Sequence, residues 1–288
     1  MSATLTAINR FPVKSCRGEA LWSATVEPWG LAGDRRWMLV DADDAVVTAR
    51  EHPRLVLTVP VITADGLHLT HPDLDPLDVV VPPGSSRQPV QVWKSVVTAS
   101  VADHGASAWF SKIAGEPVRL VHLDDPTQRA TNPEFSRHTD RVSFADGYPL
   151  LLTTTESLAA LNEFIADGPL SGEGPLPMTR FRPSIVVEGA GPAWVEDGWR
   201  RVRIGAAEFR AVKGCDRCVL TTIDPVTAAR GKEPIASLGR HRRWDGKTWF
   251  GMSLVPDHPG AVISVGDPVE ILEAVDAPDG PPRPASAG

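Results

Sequence analysis

"VKGCDRCVLTTID", residues 212–224, holds two of the chain's three cysteines, Cys215 and Cys218, with Asp216 and Arg217 between them. Four readings are open. A structural zinc site needs four ligands, usually two CxxC pairs or one such pair with two histidines. The third cysteine is the distant Cys16, and the nearest downstream histidine, His241, stands alone, so zinc is disfavoured. A redox dithiol normally sits at a helix start that follows a strand. Here Cys218 runs into "VLTTID", which reads as a strand. Both cysteines could instead be small core hydrophobes, although Lys213, Asp216 and Arg217 are interleaved with them, and positive neighbours favour thiolate. In the fourth reading one thiolate binds a soft metal whose other ligands come with a cofactor. The stretch alone does not choose among them.

Working outward, the chain has 288 residues with 42% hydrophobic content, enough for two ordinary domains or one large one. Its formal charge is 29 − 36 = −7, with no basic block. That argues against nucleic acid or an anionic membrane as partner, because both need clustered Lys and Arg. The first residues, "MSATLTAINRFPV", carry no basic n-region, and no apolar run reaches membrane-span length. The expectation is a soluble, cytoplasmic protein. Three cysteines are too few for a disulfide framework, so reduced thiols are expected.

Short β-branched runs bounded by turn residues dominate the sequence: "RRWMLVD", "RLVLTVPVIT", "LDVVVP", "VQVWKSVVTAS", "PVRLVHL", "PSIVVEG", "RRVRIG" and "AVISVGDPVEIL". Two helices stand out. "DHGASAWFSKIAG" presents Ala106, Trp109, Phe110 and Ile113 on one face. "TTTESLAALNEFIADG" has a capping-box pattern from Thr153 to Glu156, then Leu158, Leu161 and Ile165 on one face, and stops near Gly168. A shorter helix is expected in "EPIASLGRHRR". Many strands with few helices suggest a mainly β protein built from barrels. Residues 123–141 are polar and patternless and read as a long loop between two strand-rich units. The expected division is an N-terminal unit over 1–124, a second unit over 125–274 and a disordered tail over 275–288.

Seven stretches in order extend the argument: "FPVKSCRG" (11–18), "GLAGDRRWMLVD" (30–41), "VTAREHPRL" (47–55), "FADGYPLLLTTTESLAALN" (144–162), "RFRPSIVV" (180–187), "GCDRCVLTTIDP" (214–225) and "GDPVEIL" (266–272). Together they resemble the MOSC family, the molybdenum-cofactor sulfurase C-terminal domain. The likeness is closest to members with an N-terminal MOSC-associated β-barrel domain, such as the mitochondrial amidoxime-reducing components and the bacterial YcbX-type proteins. "FRPSIVV" with "CDRCVLTTIDP" carries most of the specificity. The implied fold is a MOSC β-barrel plus the N-terminal barrel domain.

The resemblance implies a molybdenum cofactor, a molybdopterin holding one metal with a single protein cysteine. The cysteine followed by "VLTT", Cys218, matches the metal ligand and the centre of catalysis. Cys215 matches a cysteine near the cofactor that is not the ligand, and Asp216 and Arg217 match positions lining it. Lys14, Ser15 and Arg35 match cofactor contacts, as do Arg182 and Ser184, where the family often has Asn in place of Ser184. Asp146 and Gly147 match a loop touching the pterin. A pterin phosphate needs Lys, Arg and hydroxyls, which fits these residue types. Cys16 reads as a packed core thiol.

The implied activity is that of a molybdenum-dependent oxidoreductase reducing N-hydroxylated compounds such as amidoximes and hydroxylamines. No cysteine follows Cys218, so no iron–sulfur cluster is expected in this chain. Electrons would come from a separate donor of ferredoxin or cytochrome/flavoprotein type. Two rivals remain: a non-catalytic molybdenum-cofactor carrier, and a sulfur-transfer protein carrying a persulfide on Cys218.

Overall fold

The computed structural model describes residues 3–277 and 279–284. The alternating β-branched runs become strands that bury alternate side chains, and the chain is mainly β. A nine-stranded sheet runs Glu19–Leu21, Thr4–Arg10, Ile185–Glu188, Leu150–Thr154, Lys247–Pro256, Ala207–Asp216, Trp199–Ile204 and Val269–Ala274, with Arg243–Trp244 paired to the long Lys247–Pro256 strand. Its two ends meet. Leu5 donates its N–H to Asp267 O at 3.0 Å, Gly266 to Leu5 O at 2.8 Å and Val269 to Ala3 O at 2.8 Å. Such closure satisfies backbone groups that an open edge would leave bare. Leu5, Ile8, Leu152, Val187, Val202, Phe209 and Leu254 fill the interior.

The second unit is built on a five-stranded sheet ordered Arg87–Val92, Ser95–Val101, Arg119–His122, Trp37–Val40 and Val46–Val47, beside a meander of Val59–Ile62, Gly66–His71 and Leu74–Val80. Helix α1, His104–Ala114, buries Ala106, Trp109, Phe110 and Ile113, the face expected from its periodicity. Asp103 caps it by accepting from Ala106 N, and Gly115 ends it at φ 79°. Helix α2, Thr155–Ala166, starts one residue later than expected. Thr154, not Thr153, is the cap and accepts from Ser157 N. Glu156 turns away from the cap and accepts from Gly189 N at 2.7 Å. Helix α3 covers Ile235–His241.

The structure adds three points to the sequence expectations. The first strands of the expected N-terminal unit reach into the C-terminal barrel. Thr4–Arg10 pairs with Ile185–Glu188, and Ser23–Glu27 pairs with Val262–Ser264, so the first strands complete the C-terminal barrel. Burial of Leu5, Ile8, Val26 and Leu31 in that barrel's core is the physical reason. The loop over 123–141 is polar but anchored. Its Arg129 is buried and donates to Ser143 O at 2.6 Å, to Ala145 O, and to Asp146 O at 2.9 Å. The tail is held as well, as far as it is described. Gly214 donates to Pro282 O at 2.8 Å, and Arg283 pairs with Asp245 at 2.6 Å. The tail's last residues, 285–288, lie outside the described residues.

Candidate functional site

The Ala207–Asp216 strand runs from the barrel toward the seam between the two units. Its register against Lys247–Pro256 shifts between Gly214 and Asp216, an irregularity of the kind that re-aims side chains beside sites. The expected strand after Cys218 is absent. Val219–Thr222 is a turn of 3-10 helix with Cys218 at its start. The Thr221 hydroxyl donates back to Cys218 O at 2.9 Å and the Thr222 hydroxyl to Val219 O at 2.8 Å. These local bonds compete with strand pairing, as Thr hydroxyls do.

The result is a cavity of about 480 Å³ between the units. Lys14, Ser15, Arg35, Asp146, Gly147, Arg182, Cys215, Asp216, Arg217 and Cys218 line it, so ten of the eleven residues singled out in the sequence come together. Ser184 does not line it, and this is a correction. Ser184 is fully buried at the start of Ile185–Glu188, and its hydroxyl accepts from Leu151 N at 3.5 Å within the sheet. Cys16 is fully buried, as expected, and burial pushes its thiol up to about 12.

The cavity wall carries six cations (Lys14, Arg35, Arg50, Arg182, Lys213 and Arg217) against two carboxylates (Asp146 and Asp216), in a chain whose net charge is −7. These cations are crowded. The Arg35 and Arg182 guanidinium carbons lie 4.4 and 4.3 Å from the centroid of the same Phe11 ring. Burial, with Arg35 adding to it, lowers Arg182 to about 10. Arg182 Nη1 is tied to Cys16 O at 2.7 Å. Lys14 is 6% exposed. Burial pulls it down to about 8 against the opposing pull of Asp146. It donates to Phe144 O at 2.8 Å and to Asp146 Oδ1. The Asp146 side chain opens into the cavity and is 61% exposed. Partial desolvation between the cavity walls raises its pKa, but Lys14, then Arg50 and Arg35, outweigh that and hold the carboxyl well below its ordinary range.

Backbone strain collects here too. Ser15, Arg35, Trp93 and Arg182 all have φ between 46° and 71°, where non-glycine residues are uncommon, and all four line the cavity. The two cysteines differ in partners. Cys215 Sγ accepts from Arg217 Nη1 at 2.9 Å. Burial raises the Cys215 thiol, with Arg217 opposing. Two polar atoms of the wall, Arg217 Nε and Tyr148 Oη, are buried with no partner among the described residues.

Several wall residues were not singled out in the sequence. Arg50 stands inside the stretch 47–55, and Tyr148 directly follows Gly147, so proximity to recognised motifs was the available signal. Trp93 sits at a hairpin tip and gives no local signal at all.

Residues 2–117 match the MOSC N-terminal beta barrel domain and residues 139–270 match the MOSC domain. The mitochondrial amidoxime-reducing component 1 of Homo sapiens is 32% identical over 291 residues, covering 93% of this chain and 83% of the relative. The chain belongs to the MOSC family. The mitochondrial amidoxime reducing component 2 of Homo sapiens is 32% identical to this MOSC protein, over 92% of the chain and 82% of the relative. The molybdenum cofactor sulfurase of Oryza sativa subsp. japonica is 29% identical over 87% of the MOSC chain but only 32% of its own length. Among the described residues, no helix is long and apolar enough to cross a membrane.

Proposed function

We propose that this MOSC protein binds a molybdenum–pterin cofactor in the cavity between its units and reduces N-hydroxylated compounds with electrons from a separate redox protein. The observation that carries the reading is the donor set around Cys218. Among the described residues there is no group of three or more metal-ligating side chains, while a thiol stands in a cationic cavity. Cys215 Sγ is engaged by Arg217, and a single remaining thiol, Cys218, suits a metal whose other ligands arrive with a cofactor. A phosphate-bearing ligand would relieve the crowding of Arg35 and Arg182 on Phe11. The partnerless Arg217 Nε and Tyr148 Oη are ready donors for such an occupant.

With that cofactor bound, the chemistry available is two-electron cleavage of an N–O bond. The chain's own residues supply the rest. Cys218 would hold the metal. Lys14, Ser15, Arg35 and Arg182 would bind the anionic end. Burial raises the Tyr148 hydroxyl's pKa, so Tyr148 stays a neutral hydrogen-bond donor. Arg129, gripping the carbonyls of Ser143, Ala145 and Asp146, fixes the loop that carries Asp146 and Gly147.

Turnover of an amidoxime by protein from cofactor-synthesising cells, with reduced viologen as electron source, tests the reading. Activity that disappears in Cys218→Ser supports it. Metal-loaded protein inactive across several N-hydroxylated substrates would favour a cofactor carrier. Sulfane sulfur on Cys218 would favour sulfur transfer.

A further inference from the structure

The cysteine-bearing end of the Ala207–Asp216 strand is weakly held by its own sheet. Its register with Trp199–Ile204 ends where Arg201 faces Arg210. On the other side, the register with Lys247–Pro256 shifts twice, between Ala211 and Lys213 and between Gly214 and Asp216. Past Arg210 the C-terminal tail comes alongside. Gly214 donates to Pro282 O at 2.8 Å. Pro281 is buried, and a Cβ on Gly214 would stand 2.5 Å from Pro281 Cγ. Glycine at 214 therefore leaves room for the tail. Its two neighbours, Lys213 and Cys215, both line the cavity.

The tail's other anchors are local. Gly280 packs at the Trp244 ring, where φ 88° and a Cβ 2.9 Å from that ring leave no place for a side chain. Arg283 pairs with Asp245 at 2.6 Å, and its guanidinium carbon is 5.6 Å from the Trp244 centroid. Trp244 O in turn accepts from Trp249 Nε1 at 3.1 Å, and the Trp249 ring lies against Gly214 and 4.8 Å from Lys213 Nζ. Pro281, Pro282 and Pro284 offer carbonyls but no N–H, so the tail caps this strand and cannot extend the ladder. A segment held by a few such contacts opens at lower cost than the barrel.

We propose that residues 279–284 are a strap that controls access to the cysteine end of the cavity. Docked, the strap holds Gly214 and Cys215 in place. Released, it lets the strand end fray, and the thiols of Cys215 and Cys218 become reachable. Its use in admitting a cofactor rests on the cofactor reading, while the opening itself does not.

Gly280→Val dislodges the strap without touching the cavity wall. The protein is made in cells that lack cofactor synthesis, so that no cofactor covers the thiols. Hydrogen exchange is followed on the peptide spanning residues 212–217, and alkylation by iodoacetamide is followed at each cysteine by mass spectrometry. Gly280→Val should speed exchange in that peptide, and alkylation at Cys215 and Cys218, by about tenfold, the weight of one backbone hydrogen bond with its packing. Arg283→Ala, which removes the Asp245 pair, should move both in the same direction by about threefold. Cys16, buried in the core of the other unit, should stay unreactive throughout. Parent-like rates in Gly280→Val would overturn the proposal. So would parent-like rates in Arg283→Ala, or Cys16 reacting as fast as Cys215 in either variant, because the tail would then be holding the whole fold. If the strap behaves as expected but parent protein from cofactor-synthesising cells contains no molybdenum, the cofactor reading fails and the strap stands.

Discussion

Arg217 Nη1 donates to Cys215 Sγ at 2.9 Å, while its Nη2 holds Phe181 O at 2.7 Å. The same guanidinium therefore engages one sulfur of the CxxC pair and fixes it to the cavity wall. Among the described residues no side chain tethers Cys218 in this way.

This asymmetry separates the two sulfurs experimentally. Cys218→Ser should abolish a thiolate-dependent Mo(V) resonance. Cys215→Ser should keep the resonance, because the serine hydroxyl can still accept from Arg217. Loss in both variants alike, or in Cys215→Ser alone, would reverse the assignment.

Arg129 gives a prediction about stability. It is buried and its side chain serves three carbonyls of residues 143–146. Arg129→Ala would leave buried acceptors unpaired, each worth about 1–3 kcal/mol. Urea denaturation should show a loss of about 3 kcal/mol or more. A loss within experimental scatter would mean that the loop is held by other contacts.

Much of this site was legible because its residues lie in short contiguous stretches. Lys14 and Ser15 are adjacent, as are Asp146 and Gly147, and Cys215–Cys218 are consecutive. What brings them together is long-range: the first strand completes a barrel formed mostly by residues beyond 149. That pairing puts Lys14 against Asp146. Trp93 was not legible, because a hairpin tip carries no sign of the distant residues, Lys14 and Arg50, that it meets. Val219–Thr222 has the composition of a strand, yet the Thr221 and Thr222 hydroxyls satisfy the backbone locally. Ser184 was placed in the site by motif position, but the sheet takes up its hydroxyl. The proline-rich tail lacks a core pattern, and its anchors, Gly214 N and Asp245, belong to distant segments.

Glu196 sets a pH dependence of stability away from the cavity. It is fully buried, and burial raises its carboxyl to about 7, although Ser157 Oγ donates to it at 2.9 Å. Its Oε1 has no partner among the described residues. The folded state therefore holds a proton that the unfolded chain, with its ordinary value of 4.5, gives up earlier. Stability from this group is complete below pH 4.5 and is lost as pH rises through about 7. Glu196→Gln should be near neutral at pH 5 and stabilising at pH 8, by up to about 2–3 kcal/mol. A pH-independent effect of Glu196→Gln would contradict the assignment.

Electron supply is testable with the protein alone. The sequence shows no glycine-rich dinucleotide turn. Purified protein with an amidoxime should not oxidise NADH or NADPH, and adding reduced viologen should start turnover. NADPH oxidation by the isolated chain would reveal a nucleotide site in this fold.

The central claim is that the cationic cavity around Cys218 holds a molybdenum–pterin cofactor. Metal and pterin analysis of protein made in cofactor-synthesising cells tests it most directly, with Arg182→Ala compared against the exposed control Arg243→Ala. The parent and the control should carry molybdenum and pterin in equal molar amounts, and Arg182→Ala should lose most of both. Parent protein from such cells that contains neither, or retention in Arg182→Ala equal to the control, would contradict the account.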